Sequence, residues 1–204
     1  MSTNGSSAKA PFLYTLGVEV PQDVKHVLVD PSVVRIPAAA FADRRQLKEV
    51  FLSRGIQEIG MGAFAGCTSL ECVHFPSTLT AIGAGVFNGC ISLKEVKLCE
   101  GLQRIEMLAF RNCTSLEQFQ IPSTVSAIGD RAFHGCVSLR EVKLVVGIQD
   151  IGRYAFTTCR SLEPIAVPSK AFVIETGVYL NDFGIETEYH HNCRLLTDGT
   201  ITPE

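Results

Sequence analysis

Apolar residues recur along most of the chain in one repeated pattern. Each copy opens with apolar residues at its first, fourth and sixth positions, for example Leu93, Val96 and Leu98. Positions four and six are two residues apart, so they share one face of a β-strand. A second apolar pair follows, such as Leu102 and Ile105, and a small residue, Phe and Cys close the copy. The pattern predicts a short strand in every copy, with its apolar side facing inwards.

Five copies without any insertion occupy residues 47–161. Their cysteines mark the spacing, because each lies 23 residues after the last: Cys67, Cys90, Cys113, Cys136 and Cys159. One copy has too few inward positions to form its own core, so it must bury its edges against two neighbours. The sequence therefore predicts a repeat solenoid, a stack of coils in which equivalent Phe and Ile residues lie over one another, about 4.8 Å apart.

The repeat weakens at both ends. A degenerate copy begins at Val24 and has Arg44 in the cysteine position, and another begins at Leu162 but loses the pattern after Ile174. Terminal coils of solenoids are usually atypical because one side faces water. We expect a disordered tail at 1–10, an N-terminal capping segment at 11–23, a solenoid of six to seven coils at 24–169, and a C-terminal capping segment and tail at 170–204.

Two further regularities concern the turns. Glycine follows the second Ile in four copies, at Gly60, Gly83, Gly129 and Gly152, and this position predicts a turn with positive φ. Glu106 occupies the same position in the third full copy, where we expect local strain. The copies also alternate, because the run Pro-Ser-Thr that begins at Pro76 recurs 46 residues later at Pro122. The repeating unit is thus a pair of coils.

The pattern L-x-x-V-x-(L/I)-P-x-x-V-x-x-I-G-x-x-A-F-x-x-C-x-S resembles the BspA-type leucine-rich repeat over residues 24–169. The chain departs from that pattern at Arg44, at Glu106 and in both terminal segments. The resemblance implies a right-handed stack of coils with a parallel β-sheet on one face and short turns or helical segments on the other. It also implies a binding or adhesion role, often at cell surfaces, and it supplies no catalytic residues.

Composition excludes several classes of function. The net charge is −3 and no basic run is present, so nothing in the sequence favours nucleic acid as a partner. No apolar stretch approaches the ~20 residues that span a bilayer, so membrane insertion is not expected. The first ten residues are polar and small and lack the apolar centre of a secretory signal, which predicts a cytoplasmic protein. Surface location, implied by the resemblance, is the alternative.

The cysteines offer the first candidate chemistry. Zinc sites usually draw on close pairs such as C-x2-C, and the five cysteines of the repeat contain no such pair. Parallel side chains in a column also suit disulfide bonds poorly. We therefore expect five small buried thiols, reduced and free of metal, and no cofactor.

Cys72 and His74 break the repeat and point outwards from one strand. A Cys and a His on one face would make a nucleophile pair or half a metal site, but each needs further groups that the sequence does not show. His190, His191 and Cys193 place three potential ligands within four residues near the C-terminus. Motifs of nucleotide-binding, serine-hydrolase and zinc-protease sites do not occur. We assign no catalytic residue and no metal site.

The predicted binding surface consists of the outward side chains at the third and fifth positions of the strands. The candidate residues are Leu28, Glu49, Phe51, His74, Glu95, Lys97, Gln118, Gln120, Glu141 and Lys143, with Cys72 beside them. Leu28 and Phe51 stand out because two apolar side chains stacked on an exposed sheet reduce solubility unless something covers them. Either they anchor a partner, or the N-terminal segment around Phe12 and Tyr14 folds over them.

These observations favour a non-catalytic protein–protein interaction module with the solenoid face as its binding surface and a protein as its partner. The first alternative is a secreted or cell-surface adhesin that binds matrix protein or carbohydrate. The second is an enzyme or metal protein that uses the Cys and His residues.

Overall fold

The computed structural model describes residues 10–163, 165–166, 172–173, 194–195 and 200–202. The tail predicted at 1–10 lies outside this part of the chain except for residue 10, as does most of the capping segment predicted at 170–204. Regular structure in the described residues consists of short strands. They are β1 (Phe12–Tyr14), β2 (His26–Val29), β3 (Arg35–Ile36), β4 (Glu49–Phe51), β5 (Glu58–Ile59), β6 (Cys72–His74), β7 (Ala81–Ile82), β8 (Glu95–Val96), β9 (Arg104–Ile105), β10 (Gln118–Gln120), β11 (Ala127–Ile128), β12 (Glu141–Lys143), β13 (Asp150–Ile151), β14 (Ile165–Ala166), β15 (Phe172–Val173), β16 (Arg194–Leu195) and β17 (Thr200–Thr202).

The strands form a solenoid with two parallel ladders. The first ladder has the order β1-β2-β4-β6 and continues as β8-β10-β12, with an isolated parallel bridge between His74 and Lys97. The second is a seven-stranded sheet that runs from β3 to β15 through the odd-numbered strands. Residues pair with their counterparts in the next coil, as Ile36 does with Ile59. Near the C-terminus, β14, β17 and β16 form an antiparallel sheet.

The stack of coils with a parallel sheet is confirmed, and the structure adds two details. The last residue of the second apolar pair and the residue before it form a second parallel sheet, which the sequence did not predict. Of the predicted short turns or helical segments, the described part of the chain has the turns. The backbone explains this result, because each coil carries two residues in the left-handed region between its second and next strands, such as Leu108 with φ 61° and Asn112 with φ 59°. A residue in that region interrupts a right-handed helix.

The N-terminal segment extends the first sheet. β1 pairs in parallel with β2, so that Phe12 aligns with Val27 and Leu13 aligns with Leu28. Tyr14 is buried, and its ring lies 4.8 Å from that of Phe41. β1 therefore lies beside β2, and the alternative in which this segment covers the outward side chains of β2 and β4 is wrong.

A column of stacked rings forms the centre of the core. The equivalent phenylalanines of successive coils are nearly parallel, with ring centroids 4.9, 5.5, 5.3, 5.3 and 5.2 Å apart. The six members are Phe41, Phe64, Phe87, Phe110, Phe133 and Phe156, and none is exposed to solvent. These separations approach the strand spacing of a β-sheet, so hydrogen bonding in the ladders and ring stacking in the core require the same distance between coils.

The glycines that follow the second Ile serve close approach between coils. None of the four has a positive φ, so that prediction was wrong. A Cβ at Gly129 would overlap the backbone nitrogen of Met107, in the coil before it. Positive φ occurs two and six residues after this position, for example at Gly62 and Gly66. Glu106 also lacks a positive φ, and its carboxylate forms an ion pair of 2.6 Å with Arg104.

The alternation of the coils has a hydrogen-bonding cause. The hydroxyl of Thr78 donates to the carbonyl oxygen of Ile56 at 2.6 Å. The hydroxyl of Thr124, at the equivalent position two coils later, donates to the carbonyl oxygen of Leu102 at 2.7 Å. The Pro-Ser-Thr coils thus bind the turn of the coil before them through a side chain, which the coils between them lack at that position.

The repeat cysteines are buried free thiols, as predicted, and each has a backbone acceptor. The thiol of Cys67 donates to the carbonyl oxygen of Phe41 at 3.0 Å, 26 residues earlier. The other four do the same to the carbonyl oxygens of the phenylalanines 26 residues before them, at 3.1–3.2 Å. Arg44, in the cysteine position of the first coil, donates to the carbonyl oxygen of Val20 at 3.0 Å. This position therefore links each coil to the chain before it.

Thiol labelling should separate these five cysteines from the others. Burial raises the pKa of Cys67 to about 12 and raises those of the other four column thiols as well, so they stay protonated where a free thiol ionises. In a Cys193→Ser background, we expect native protein to expose two reactive thiols, Cys72 and Cys99, and denatured protein to expose seven. Rapid labelling of more than two thiols in native protein would contradict the buried column.

Candidate binding face

The outward side chains of the first sheet form two columns, which we call the strand face. One column contains His26, Glu49, Cys72, Glu95, Gln118 and Glu141. The other contains Leu13, Leu28, Phe51, His74, Lys97, Gln120 and Lys143. All ten residues predicted for the binding surface lie in these columns, because inward and outward side chains alternate along each strand. Their role in binding stays a prediction.

The N-terminal end of the strand face is apolar. Leu13, Leu28 and Phe51 are exposed to 49%, 44% and 37%, and they follow one another across three neighbouring strands. The ring of Phe51 stacks on the ring of His74, with centroids 4.2 Å apart and an angle of 4° between the planes. The sequence did not predict Leu13 as part of this surface, although Phe12-Leu13-Tyr14 has the same alternation as Val27-Leu28-Val29.

The C-terminal end of the strand face is polar and nearly neutral. Lys97 lies 3.3 Å from Glu95 and Lys143 lies 3.1 Å from Glu141, so each charged strand carries its own ion pair. Exposed pairs of this kind contribute only about 0–1 kcal/mol to stability. The glutamines of β10 separate the two pairs and, with Phe119 and the β12 pair, line a shallow depression. This end offers hydrogen-bonding groups and little net charge.

Four polar side chains meet where the two ends join. The Nε2 atom of His74 lies 3.1 Å from Oε1 of Glu49 and 3.6 Å from Sγ of Cys72. The other carboxylate oxygen of Glu49 lies 3.5 Å from Nδ1 of His26. Burial raises the pKa of the Cys72 thiol, and the carboxylates of Glu49 and Glu95 raise it further. The sequence drew attention to Cys72 and His74 but did not predict that Glu49 and His26 lie beside them.

This cluster does not have the arrangement of a nucleophilic triad. In a triad, one nitrogen of the histidine faces the nucleophile and the other binds the carboxylate. Here the thiol and the carboxylate both contact Nε2 of His74. The raised pKa of Cys72 also lowers the fraction of reactive thiolate. What the cluster does provide is three possible metal-ligand atoms within 4.8 Å of one another, from Glu49, Cys72 and His74. The other candidate cluster, at residues 190–193, lies outside the described residues.

Membrane-spanning helices are absent from the described residues, among which no helix has the length and apolar character needed to cross a bilayer.

Comparison with known proteins supports the resemblance to the BspA-type repeat. The family model of the BspA type leucine rich repeat region matches the chain in six copies, over residues 22–126 and 103–190. A search of curated protein sequences gave no significant match. Among solved structures, a leucine-rich repeat protein of T. pallidum is 31% identical with a TM-score of 0.66, over 68% of this chain and 67% of that one.

Two longer proteins are similar as well. A leucine-rich repeat protein from Bacteroides ovatus is 31% identical with a TM-score of 0.67, over 71% of this chain and 40% of that one. A leucine rich cell surface protein from Faecalibacterium prausnitzii is 33% identical with a TM-score of 0.59, over 67% of this chain and 36% of that one. The family and the fold are thus those of a repeat scaffold, and the chain belongs to the BspA-type leucine-rich repeat family.

Proposed function

We propose that the chain is a non-catalytic module that binds a protein partner through the strand face. The observation that carries this proposal is the exposed column of Leu13, Leu28 and Phe51 on the outward side of the first sheet. Contiguous exposed apolar groups with a polar surround are typical of interaction sites, and aromatic anchors supply much of the energy at such sites. The first ladder carries these side chains at fixed spacing along the stack of coils.

The strand face also indicates the kind of partner. Its charged groups are three carboxylates and two ammonium groups, and both ammonium groups pair with a carboxylate of their own strand. Long-range electrostatic attraction is therefore a small part of recognition. We propose a protein partner that places an apolar side chain against Phe51 and Leu28 and runs across the strands to hydrogen-bond with Gln118 and Gln120.

An adhesin at the cell surface is the second candidate. The similarity to the cell surface protein of F. prausnitzii, at 33% identity, supports this candidate. Both candidates use the strand face, and they differ in where the partner is encountered. Proteolysis of intact cells distinguishes them, because only a surface protein is cleaved before the cells are lysed.

Affinity capture with paired variants tests the binding surface. Wild-type protein, Phe51→Asp and Val34→Asp are used as baits, and bound proteins are identified by mass spectrometry. Val34 is a suitable control because it is 50% exposed and immediately precedes β3 of the second sheet. We expect specific partners to be captured by the wild type and by Val34→Asp, and to be lost with Phe51→Asp. If Val34→Asp alone loses the same partners, the binding surface lies beside the second sheet and not on the strand face.

A further inference from the structure

We propose that Glu49, Cys72 and His74 form a binding site for a transition-metal ion of the Zn²⁺ class on the strand face. The three side chains carry one carboxylate, one thiol and one imidazole, and their ligand atoms lie within 4.8 Å of one another. Thiol and imidazole ligands select Zn²⁺ and related transition metals over Mg²⁺ and Ca²⁺, which prefer oxygen. The proposal does not depend on the identity of the protein partner.

Two of the three distances between the ligand atoms are close to those of tetrahedral coordination. Zn²⁺ binds thiolate sulfur at about 2.3 Å and nitrogen or oxygen at about 2.0–2.2 Å, so tetrahedral geometry places sulfur and nitrogen about 3.5 Å apart and nitrogen and oxygen about 3.4 Å apart. The observed distances are 3.6 Å from Sγ of Cys72 to Nε2 of His74 and 3.1 Å from that nitrogen to Oε1 of Glu49. All three ligand atoms lie within 4.8 Å of one another, so the thiol and the carboxylate would close on the ion by rotating their side chains.

The fold of the solenoid produces this convergence. Glu49 and Cys72 are register partners on β4 and β6, and His74 lies two residues after Cys72 on the same side of its strand. Two neighbours fix the orientation of the ligands. Phe51 stacks on the His74 ring at 4.2 Å, and His26 holds the second oxygen of Glu49 at 3.5 Å. Such outer contacts orient metal ligands and raise affinity.

The imidazole of His74 is the common neighbour of the other two ligands. Nε2 of His74 faces both the thiol and the carboxylate, and its single hydrogen or lone pair satisfies only one of them at a time. A metal ion would bond to the thiolate, the neutral imidazole and the carboxylate together, and the thiol proton would leave to solvent. The His74 side chain is 48% exposed and that of Glu49 is 33% exposed, so a fourth coordination position remains open on the strand face.

Titration of the full chain with Co²⁺ and Zn²⁺, under reducing conditions, tests the site. We expect one Co²⁺ ion per chain with the near-ultraviolet charge-transfer absorption of a thiolate ligand, displaced by Zn²⁺. Cys72→Ser should abolish that absorption. Cys72→Ser and His74→Gln should each weaken Zn²⁺ binding by about 100-fold or more. His26→Asn removes only an orienting contact and should weaken binding by about 10-fold. Equal melting temperatures of wild type and variants in chelator show that the fold is kept.

Two control variants make the result specific. Cys99→Ser removes the other half-exposed cysteine among the described residues and should leave Co²⁺ binding unchanged. The triple variant His190→Asn, His191→Asn and Cys193→Ser removes the second cluster of potential ligands and should also leave the thiolate absorption unchanged. The proposal is overturned if wild-type protein shows no thiolate–Co²⁺ absorption, or if that absorption survives Cys72→Ser and disappears in the triple variant.

Discussion

Replacing Phe110 with alanine should lower the free energy of unfolding by about 3–5 kcal/mol. The side chain has no exposed surface. Its ring lies 5.3 Å from those of Phe87 and Phe133, and 4.9 Å from the edge-on ring of Phe119. The cavity cannot close by moving the coils together, because the hydrogen bonds of two parallel ladders set the distance between them. Urea denaturation followed by circular dichroism measures the loss.

Phe41→Ala is the matched control for this prediction. Phe41 is equally buried, but it lies at the N-terminal end of the column, where its ring neighbours are the tilted ring of Tyr14 and the stacked ring of Phe64. In a one-dimensional stack, an end coil can open while the rest stays folded, so its substitution costs no more than the stability of that end. We therefore expect a smaller effect on the main transition than for Phe110→Ala. Equal losses would mean that the coils unfold as one cooperative unit.

The repeat itself made most of the architecture predictable. When the same apolar set recurs without insertion, each residue must lie over its counterpart, which determines both the stacking and the register of pairing. Stacking of Phe87 on Phe110 and pairing of Val50 with Val73 follow directly from this rule. The acceptor of the cysteine thiols was not predictable in the same way. The carbonyl 26 residues earlier belongs to the preceding coil, and its position depends on the path of the turn.

Features that depend on distances between coils were not predicted, because the pattern of one coil does not give those distances. A pair of apolar residues three apart fits a turn as well as a two-residue strand, so the second sheet was not recognised. Glycine at position 129 is compatible with a positive φ and with close approach of backbones. Its backbone conformation and the overlap of an added Cβ with the backbone of Met107 separate these explanations. Local sequence restricts conformation, whereas contacts between coils require the completed stack.

The strand face was also predictable only in part. Alternation within each strand placed ten predicted residues outwards, because a strand sends successive side chains to opposite sides. Contacts outside the repeat, and contacts that depend on how side chains lean across strands, were not predictable. Leu13 lies in the apolar column because β1 pairs with β2, although the β1 segment does not carry the repeat pattern. Glu49 of β4 contacts His74 of β6 because their side chains lean towards each other across neighbouring strands.

Phe51→Ala should weaken binding of the protein partner by about 30-fold, which corresponds to about 2 kcal/mol and is typical of an aromatic hot spot. Phe51 is 37% exposed in the free protein, between Leu28 and His74 in its column, so a partner can still cover a large part of its ring. Calorimetric titration of a partner identified by affinity capture measures the dissociation constants of wild type and variant under the same conditions.

The same substitution should leave the stability of the solenoid nearly unchanged, within about 0.5 kcal/mol, because the ring lies on the outward side of β4 and leaves the core intact. Leu28→Ala should weaken binding less than Phe51→Ala, since leucine is a rarer hot spot than an aromatic residue. Val34→Ala, which also removes an exposed apolar side chain but beside the second sheet, should have no effect on binding. If Phe51→Ala instead lowers the melting temperature strongly and leaves the dissociation constant unchanged, Phe51 belongs to the packing of the N-terminal coils and not to a binding surface.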